Sequence, residues 1–151
     1  MDQASHCFVF EQDFVGNWRC IPLCVRRKLD LIGIKLKLSH WLAFTQAQRQ
    51  DLVDWPDQTP ALTGMRSHLY ALTRGMEAGM VKDLPIATNE PWQNLDVLPG
   101  SVQQAAIERS VAFNLAQWAA LMELERFALF KLARPGHDHH NLGAAFSEIL
   151  G

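Results

Sequence analysis

The clearest pattern of apolar and polar positions in this chain lies between Thr59 and Met76. Apolar side chains recur there every three or four residues, as they do along one face of an α-helix. The positions on this face are Leu62, Met65, Leu69, Leu72 and Met76. Pro60 suits the first turn of a helix, and Gly75 favours a helix end. The pattern therefore predicts an amphipathic helix that packs on one side.

A second segment, from about Met122 to Ala133, is apolar around most of its circumference. The apolar residues of this segment, together with Leu121 just before it, are Leu121, Leu124, Phe127, Ala128, Leu129, Phe130 and Leu132. Such a pattern is typical of a central helix. The following proline and glycine predict its end.

Weaker signals predict the elements of the first 40 residues. Alternation from Phe8 to Phe14 indicates a short extended N-terminal arm. Pro22 favours the start of a helix that ends at Gly33. Residues 35–38 alternate too, which predicts either a short strand or an extended link.

Capping residues predict the next two elements. Ser39 should cap a short turn that bears Trp41. Thr45 and Gln48 have the spacing of a capping box, so a helix is expected there, ending before Pro56.

The second half begins with a connector between residues 83 and 100, which holds three prolines and no lasting period. We expect this connector to pack over the core through the side chains of Trp92 and Leu95. The elements predicted after it are a helix from Ser101 to about Arg109, a turn capped by Asn114 that bears Trp118, and a last helix from Leu142 to Leu150.

The chain also repeats its own pattern with an offset of 77 residues, which aligns Trp41 with Trp118 and Arg49 with Arg126. Because the matched residues agree in type as well as in period, we interpret the repeat as a structural duplication. The fold predicted for residues 1–151 is an all-α, compact, single-domain helical bundle. Pseudo-repeat units at about 22–56 and 99–135 each form a helix–link–helix unit, and the short extended N-terminal arm precedes them.

The composition is that of one globular domain. The 151 residues are 48% hydrophobic and 20% charged, which is enough to bury a core without disulfides. The net charge of −2 provides no field that would attract nucleic acid or an anionic membrane. No apolar run approaches the ~20 residues that span a bilayer, and no secretory pattern opens the chain. Three cysteines are too few for a disulfide framework, so we expect a cytoplasmic protein.

Two groups of residues have metal-binding or redox chemistry. Cys20 and Cys24 flank the predicted start of a helix, where the pKa of a thiol can be lowered. His137, His139 and His140 are potential ligands for zinc, copper or nickel. Buried small side chains and a solvated loop are the commoner roles of such residues, so no metal or other cofactor is expected. A small metal-binding or redox protein that uses Cys20, Cys24 and the His137–His140 cluster is the alternative function.

Five basic residues fall close together in the first half: Arg26, Arg27, Lys28, Lys35 and Lys37. Lys35 and Lys37 would point the same way in a strand. The five residues form either a solvated face or a modest basic edge suited to an acidic protein surface.

The sequence holds no motif of a catalytic nucleophile, phosphate-binding loop or zinc protease. Three cysteines cannot supply the four thiolate ligands of an iron–sulfur cluster. Composition and the missing motifs allow a non-catalytic protein, and we expect that this chain is not an enzyme.

The stretch from Glu11 to Leu38 crowds together carboxylates, arginines, cysteines, a glycine and a proline. In this stretch, and again near the end of the chain, the sequence resembles the nitrate reductase-associated protein family. The resemblance covers about residues 8–146. The matching motifs are Glu11-Gln12-Asp13-Phe14-Val15-Gly16, Arg19-Cys20-Ile21-Pro22, Gly33-Ile34-Lys35-Leu36, Arg126-Phe127-Ala128-Leu129 and Arg134-Pro135-Gly136-His137.

The resemblance implies a small accessory or assembly protein of the cytoplasmic assimilatory nitrate reductase, a molybdoenzyme. The suspected partner is that reductase.

One polar cluster is predicted from the two regions that carry the resemblance. Aromatic neighbours should draw the N-terminal arm against the core, and partly buried carboxylates there need partners. We expect Glu11, Asp13 and Arg19 to pack with Arg134 and His137, either as a structural clasp or as the reductase-binding site.

Overall fold

The computed structural model describes residues 2–12, 18–135 and 141–151. These residues are mostly helical, which confirms the all-α class, and their only strands are two short ones, β1 (Ile34–Lys35) and β2 (Lys82–Asp83). The helices are α1 (Leu23–Ile32), α2 (Leu38–Ala43), α3 (Gln46–Asp54), α4 (Thr59–Thr73), α5 (Gly100–Glu108), α6 (Leu115–Ala120), α7 (Glu123–Leu132) and α8 (Leu142–Leu150). Two 3-10 helices, Val9–Glu11 and Pro91–Gln93, complete the described elements.

The chain divides into two units, Met1–Cys7 with Glu11–Thr88 and Phe8–Phe10 with Asn89–Gly151. One predicted pseudo-repeat falls in each unit, and the prediction of a single domain stays a prediction. None of the helices in the described ranges is long and apolar enough to cross a membrane.

In the first unit, α1 packs against α3 and α4. The predicted apolar face of α4 is borne out at its centre, where Met65 and Leu69 are fully buried. The helix ends at Thr73, whose hydroxyl donates to the carbonyl of Leu69 and accepts the N–H of Val81. That pair of bonds turns the chain toward β2.

In the second unit, α7 contacts α5, α8 and the 3-10 helix Pro91–Gln93. Its apolar side chains are buried on several sides, as the sequence predicts for a central helix. The ring of Trp92 meets that of Phe127 edge-on, with the centroids 5.0 Å apart. This geometry is favourable for aromatic pairs.

The elements of the two units recur with the same offset as the sequence. Pro22 precedes α1 and Pro99 precedes α5. After these helices the chain takes positive φ angles, 67° at Gly33 and 55° at Ser110. The helices α2 and α6 are each six residues long. The prolines, the positive φ angles and the bounds of α2 and α6 therefore match position by position inside the two units, while α1 and α5 differ by one residue in length.

Both aligned tryptophans are buried, as predicted. Trp41 and Trp118 have no exposed surface. The indole N–H of Trp41 donates to the carbonyl of Trp18 at 2.8 Å, and that of Trp118 donates to the carbonyl of Asn94 at 2.9 Å. A buried indole needs such a partner, and in each unit the partner lies in the segment before the first helix.

Two predicted features at the start of the chain are wrong. Residues Val9–Glu11 form a 3-10 helix and not an extended arm. The carboxylate of Glu148 accepts the N–H groups of Val9 and Phe10, each at 3.0 Å, which holds these residues in a turn. Ser39 is not a helix cap, since α2 already begins at Leu38.

Two predictions for the second unit are also wrong. The helix predicted to start at a Ser101 cap begins at Gly100, directly after Pro99, whose fixed φ is compatible with a helix start. Leu95 does not cover a core, because 45% of its surface is exposed. Trp92 alone of that predicted pair is buried.

Replacing either buried tryptophan should destabilise the protein strongly. We expect Trp41→Ala and Trp118→Ala each to lower the free energy of unfolding by ~3–5 kcal/mol, as other large truncations in a core do. Trp→Phe at each site should cost roughly 1–3 kcal/mol, because the carbonyl loses its donor. Chemical denaturation measures both effects. Leu42→Ala, at an exposed position, is the control, and alanine variants that unfold like the parent would contradict the proposed equivalence.

Candidate functional site: a lysine strand pair and a thiol pair

The two strands of the first unit place two lysines directly opposite each other. β1 and β2 are antiparallel, with Ile34 opposite Asp83 and Lys35 opposite Lys82. Residues directly opposite in such a pair project from the same face. Both lysines are exposed, and like charges in this arrangement repel each other. The pair is therefore a local cost to stability.

Exposed apolar side chains flank this lysine pair. Side chains alternate along an extended segment, and Met80 and Leu84 are exposed on either side of Lys82, while Val81 is buried. Lys37 is exposed two residues after Lys35. We call these five residues, Lys35, Lys37, Met80, Lys82 and Leu84, the strand-pair surface.

A network of bonds fixes the segment that carries Met80 and Lys82. Arg66 of α4 donates to Asp83 at 2.5 Å and to the carbonyl of Ile32 at 2.6 Å, and the hydroxyl of Tyr70 also donates to Asp83. The hydrogen bond from Tyr70, and after it the one from Arg66, lowers the pKa of Asp83 below its usual value. The bond between Tyr70 and Asp83 also raises the pKa of Tyr70.

His40 connects the same segment to α2. Its Nδ1 accepts the N–H of Lys37 at 3.0 Å, which leaves Nε2 to donate to the carbonyl of Gly79 at 2.7 Å. Both ring nitrogens are thus used, and the hydrogen lies on Nε2. The strand-pair surface is consequently anchored from α2 as well as from α4.

Only glycine at position 33 allows the backbone of Leu84 to come so close. The φ of Gly33 is +67°, and a Cβ at this position would lie 2.4 Å from the carbonyl oxygen of Leu84. A side chain here would have to push that backbone away. The N–H of Leu84 in turn donates to the carbonyl of Gly33 at 2.8 Å.

The predicted basic edge of five residues is wrong for two of its members. Arg27 is buried and forms an ion pair with Asp57 at 2.9 Å. Lys28 has no exposed surface. Exposed basic side chains remain at Arg26, Lys35 and Lys37. The structure adds Lys82 to them, which sequence reasoning missed, although the alternation of Met80, Lys82 and Leu84 is a signal for it.

Lys28 holds the end of α3. Its ammonium group donates to the carbonyls of Leu52, Val53 and Trp55 at 2.7, 2.9 and 2.9 Å. Three acceptors match the three N–H bonds of an ammonium group, and a positive charge is favourable at a helix C-terminus. Burial nevertheless lowers the pKa of Lys28 to about 8.

Two thiols of the first unit are in contact. The side chains of Cys7 and Cys24 are hydrogen-bonded to each other, and this bond lowers the pKa of Cys7. The same bond, together with burial, raises the pKa of Cys24. Cys24 is fully buried in the first turn of α1, whereas Cys7 is half-buried. Sequence reasoning missed Cys7, because nothing in its local pattern indicates where the chain folds back.

Cys7 lies at a surface cavity of about 320 Å³. The other residues that line it are Ser5, Gln12, Trp18, Gln50, Val53 and Asp54. Cys20 is half-buried and is not one of the lining residues. Small polar molecules can therefore approach one sulfur of the thiol pair.

The candidate metal ligands are not brought together within the described ranges. No group of three or more metal-binding side chains occurs among those residues. Cys20 and Cys24 lie inside them, whereas His137, His139 and His140 lie outside them.

The predicted polar cluster is described in part. Glu11 is buried, and its carboxylate accepts the N–H of Leu23 at 2.8 Å, a favourable position for a negative charge at the start of α1. Arg19 and Arg134 are exposed, and Arg134 belongs to the second unit. Asp13 and His137 lie outside the described residues. The cluster itself stays a prediction.

The geometry defines a small, mainly helical protein with a basic and apolar surface on a two-stranded ribbon and a thiol pair beside a cavity. The chain belongs to the conserved nitrate reductase-associated protein family, whose sequence model matches residues 7–149. This match confirms the resemblance found in the sequence motifs. A search of curated proteins gave no match, and a search of solved structures gave none either.

Lys28 should make stability depend on pH in the alkaline range. Its pKa is about 8 in the folded protein and 10.5 as its ordinary value, so the unfolded chain holds the proton over a range in which the folded protein has released it. Stability therefore rises as the pH increases from about 8 toward 10.5. Melting temperatures across this range should show the rise in the parent and a smaller one in Lys28→Met.

Lys28→Met should also lower the free energy of unfolding by roughly 2–3 kcal/mol, because carbonyls at the end of α3 lose their donor. Arg74→Met is the control at an exposed cation outside the lysine pair and should change stability by less than ~0.5 kcal/mol. An equal pH dependence in the parent and Lys28→Met would show that Lys28 does not titrate in this range.

Proposed function

We propose that this chain is a non-catalytic accessory protein that binds the cytoplasmic assimilatory nitrate reductase and assists its assembly. Family membership supports the proposal, because the family is described as nitrate reductase-associated. The observation that favours a binding role is the strand-pair surface. This surface presents positive charge and apolar area to a partner. The sequence contains no recognised catalytic motif.

The repulsion between Lys35 and Lys82 is the strongest reason to assign this surface to a partner. Exposed like charges directly opposite on neighbouring strands destabilise the pair. Among the described residues, no ion pair relieves Lys35, Lys37 or Lys82. An acidic surface on the reductase would relieve the repulsion between Lys35 and Lys82 upon binding, and this relief would contribute part of the binding energy.

The apolar neighbours would supply the rest of the contact. Met80 and Leu84 are each more than two-fifths exposed, and Leu38 and Leu42 lie one helical turn apart on α2 with similar exposure. Protein interfaces typically join an apolar centre to a polar rim. The lysines would accelerate and orient the encounter, while the apolar side chains would slow dissociation.

The binding proposal is tested by recovery of the reductase on this protein. The tagged full-length chain is used to capture proteins from nitrate-grown cells, and the captured reductase is assayed for its molybdenum cofactor. We expect the reductase to be captured, with lower yield at high salt because screening weakens charge attraction. Failure to capture it at low salt would contradict the proposal.

Lys82→Glu separates binding from stability. A carboxylate opposite Lys35 replaces repulsion by attraction, so the free energy of unfolding should stay constant or rise by ~0.2–1 kcal/mol. Binding to an acidic surface should weaken by roughly tenfold, or ~1.4 kcal/mol. Denaturation and titration with the purified reductase measure the two quantities.

Arg74→Glu is the matched control, since Arg74 is an exposed cation of the same unit outside the strand-pair surface. It changes the net charge by the same amount and should leave reductase binding unaltered. If the two variants bind equally well, the strand-pair surface is not the contact, even if capture of the reductase succeeds.

Arg134→Ala tests the predicted polar cluster as a rival binding site. A structural clasp predicts a lower melting temperature, because a buried carboxylate would lose a partner. A binding site predicts an unchanged melting temperature with lost reductase binding. An Arg134→Ala protein that melts and binds like the parent would discard the cluster.

A further inference from the structure

The contact between Cys7 and Cys24 joins two sulfurs with different surroundings. Cys24 lies on α1 and is fully buried. Cys7 borders the cavity and is accessible from solvent. A reactive cysteine that is accessible, with a second thiol already beside it, is the arrangement found in redox-sensitive cysteine pairs. This feature is independent of the strand-pair surface and of binding to the reductase.

We propose that Cys7 is a peroxide-reactive cysteine and that Cys24 resolves it by forming a reversible intramolecular disulfide. The two residues are 17 positions apart, and a hydrogen bond joins their side chains. Both belong to the first unit, so the pair is already assembled in the reduced protein.

The surroundings of the pair favour Cys7 as the sulfur that reacts first. The hydrogen bond from Cys24 stabilises the Cys7 thiolate and lowers its pKa, and the positive charge of Lys28 acts in the same direction. Burial and the carboxylates of Glu11 and Asp54 oppose this shift without reversing it. Cys24 keeps its proton, since the bond to Cys7 and burial raise its pKa.

The reaction consumes one molecule of hydrogen peroxide. The Cys7 thiolate attacks one peroxide oxygen, so that an S–O bond forms, the O–O bond breaks, and hydroxide leaves and becomes water. The Cys24 sulfur then attacks the sulfenic acid of Cys7. An S–S bond forms, the S–O bond breaks, and the departing hydroxide takes the proton of Cys24. In total, two thiols and one peroxide give one disulfide and two waters, with two electrons passing to the peroxide.

The polar lining of the cavity suits a peroxide as the oxidant. The cavity of about 320 Å³ is lined by polar side chains such as Ser5, Gln12 and Gln50, which suit a small hydrogen-bonding molecule. Once formed, the disulfide would have one sulfur buried and one at the cavity. A thiol reductant would therefore attack from the Cys7 side.

The test uses the reduced full-length protein and hydrogen peroxide as the probe. After treatment, the protein is denatured and its free thiols are alkylated and counted by intact mass. We expect three alkylated thiols before oxidation and one, Cys20, afterwards, with a peptide that links Cys7 to Cys24. Dithiothreitol should restore all three thiols. Three free thiols after treatment, or a link that includes Cys20, would overturn the proposal.

Serine variants assign the two roles. Cys24→Ser should stop at a Cys7 sulfenic acid that a dione reagent traps, and Cys7→Ser should leave Cys24 reduced, because its sulfur is buried. Cys20→Ser is the matched control and should form the disulfide at the parental rate. A sulfenic acid that forms on Cys24 first, or a disulfide rate at least tenfold slower in Cys20→Ser, would contradict the assignment. The measurement on the parent protein stands even if a variant folds poorly.

Discussion

The buried indole N–H of one tryptophan in each unit is the constraint on which the arrangement of that unit depends. A tryptophan can be enclosed without loss only if its single donor finds an acceptor. Trp41 finds the carbonyl of Trp18 and Trp118 that of Asn94. Each bond ties a short helix to the segment before the first helix of its own unit. The three parts of the unit are thereby held around one ring.

The two units share this plan and differ in the residues that have chemistry. At the positions of Cys24 and Lys28 in α1, the second unit has Ser101 and Ala105. Arg49 and Arg126 remain alike in donating to backbone carbonyls, Arg49 to that of Trp41 and Arg126 to those of Trp92 and Leu121. The duplicated residues thus maintain the fold, while the thiol, the buried ammonium group and the lysine pair belong to the first unit alone.

Local signals in the sequence were sufficient for the parts of the fold that depend on local physics. The period of α4, the capping box at Thr45 and the offset that aligns Trp41 with Trp118 all predict what the structure has. Each rests on residues a few positions apart, or on a comparison of the chain with itself. Two helices begin before the predicted cap, α2 at Leu38 and α5 at Gly100. At the start of α2, His40 accepts the N–H of Lys37, a contact that the pattern of caps does not indicate.

The candidate sites could not be predicted because they depend on distant pairings. Lys28 lies in a run of three basic residues, which is typical of a surface, and only the carbonyls at the end of α3 make its burial tolerable. Lys35 meets Lys82 because Gly33 and Thr73 direct the chain, and Cys7 meets Cys24 because of the path of the first residues. Contacts between residues so far apart in the sequence cannot be predicted from the local spacing of residues.

The imidazole of His40 has a consequence for how the strand-pair surface moves. Because its two nitrogens join the start of α2 to the carbonyl of Gly79, the loop before β2 cannot open without disturbing that helix. The amide hydrogens of the loop and of α2 should therefore exchange with solvent together, as one cooperative unit. A partner that meets Lys82 would find a surface that is already ordered, and it would not lose binding energy in arranging a mobile loop.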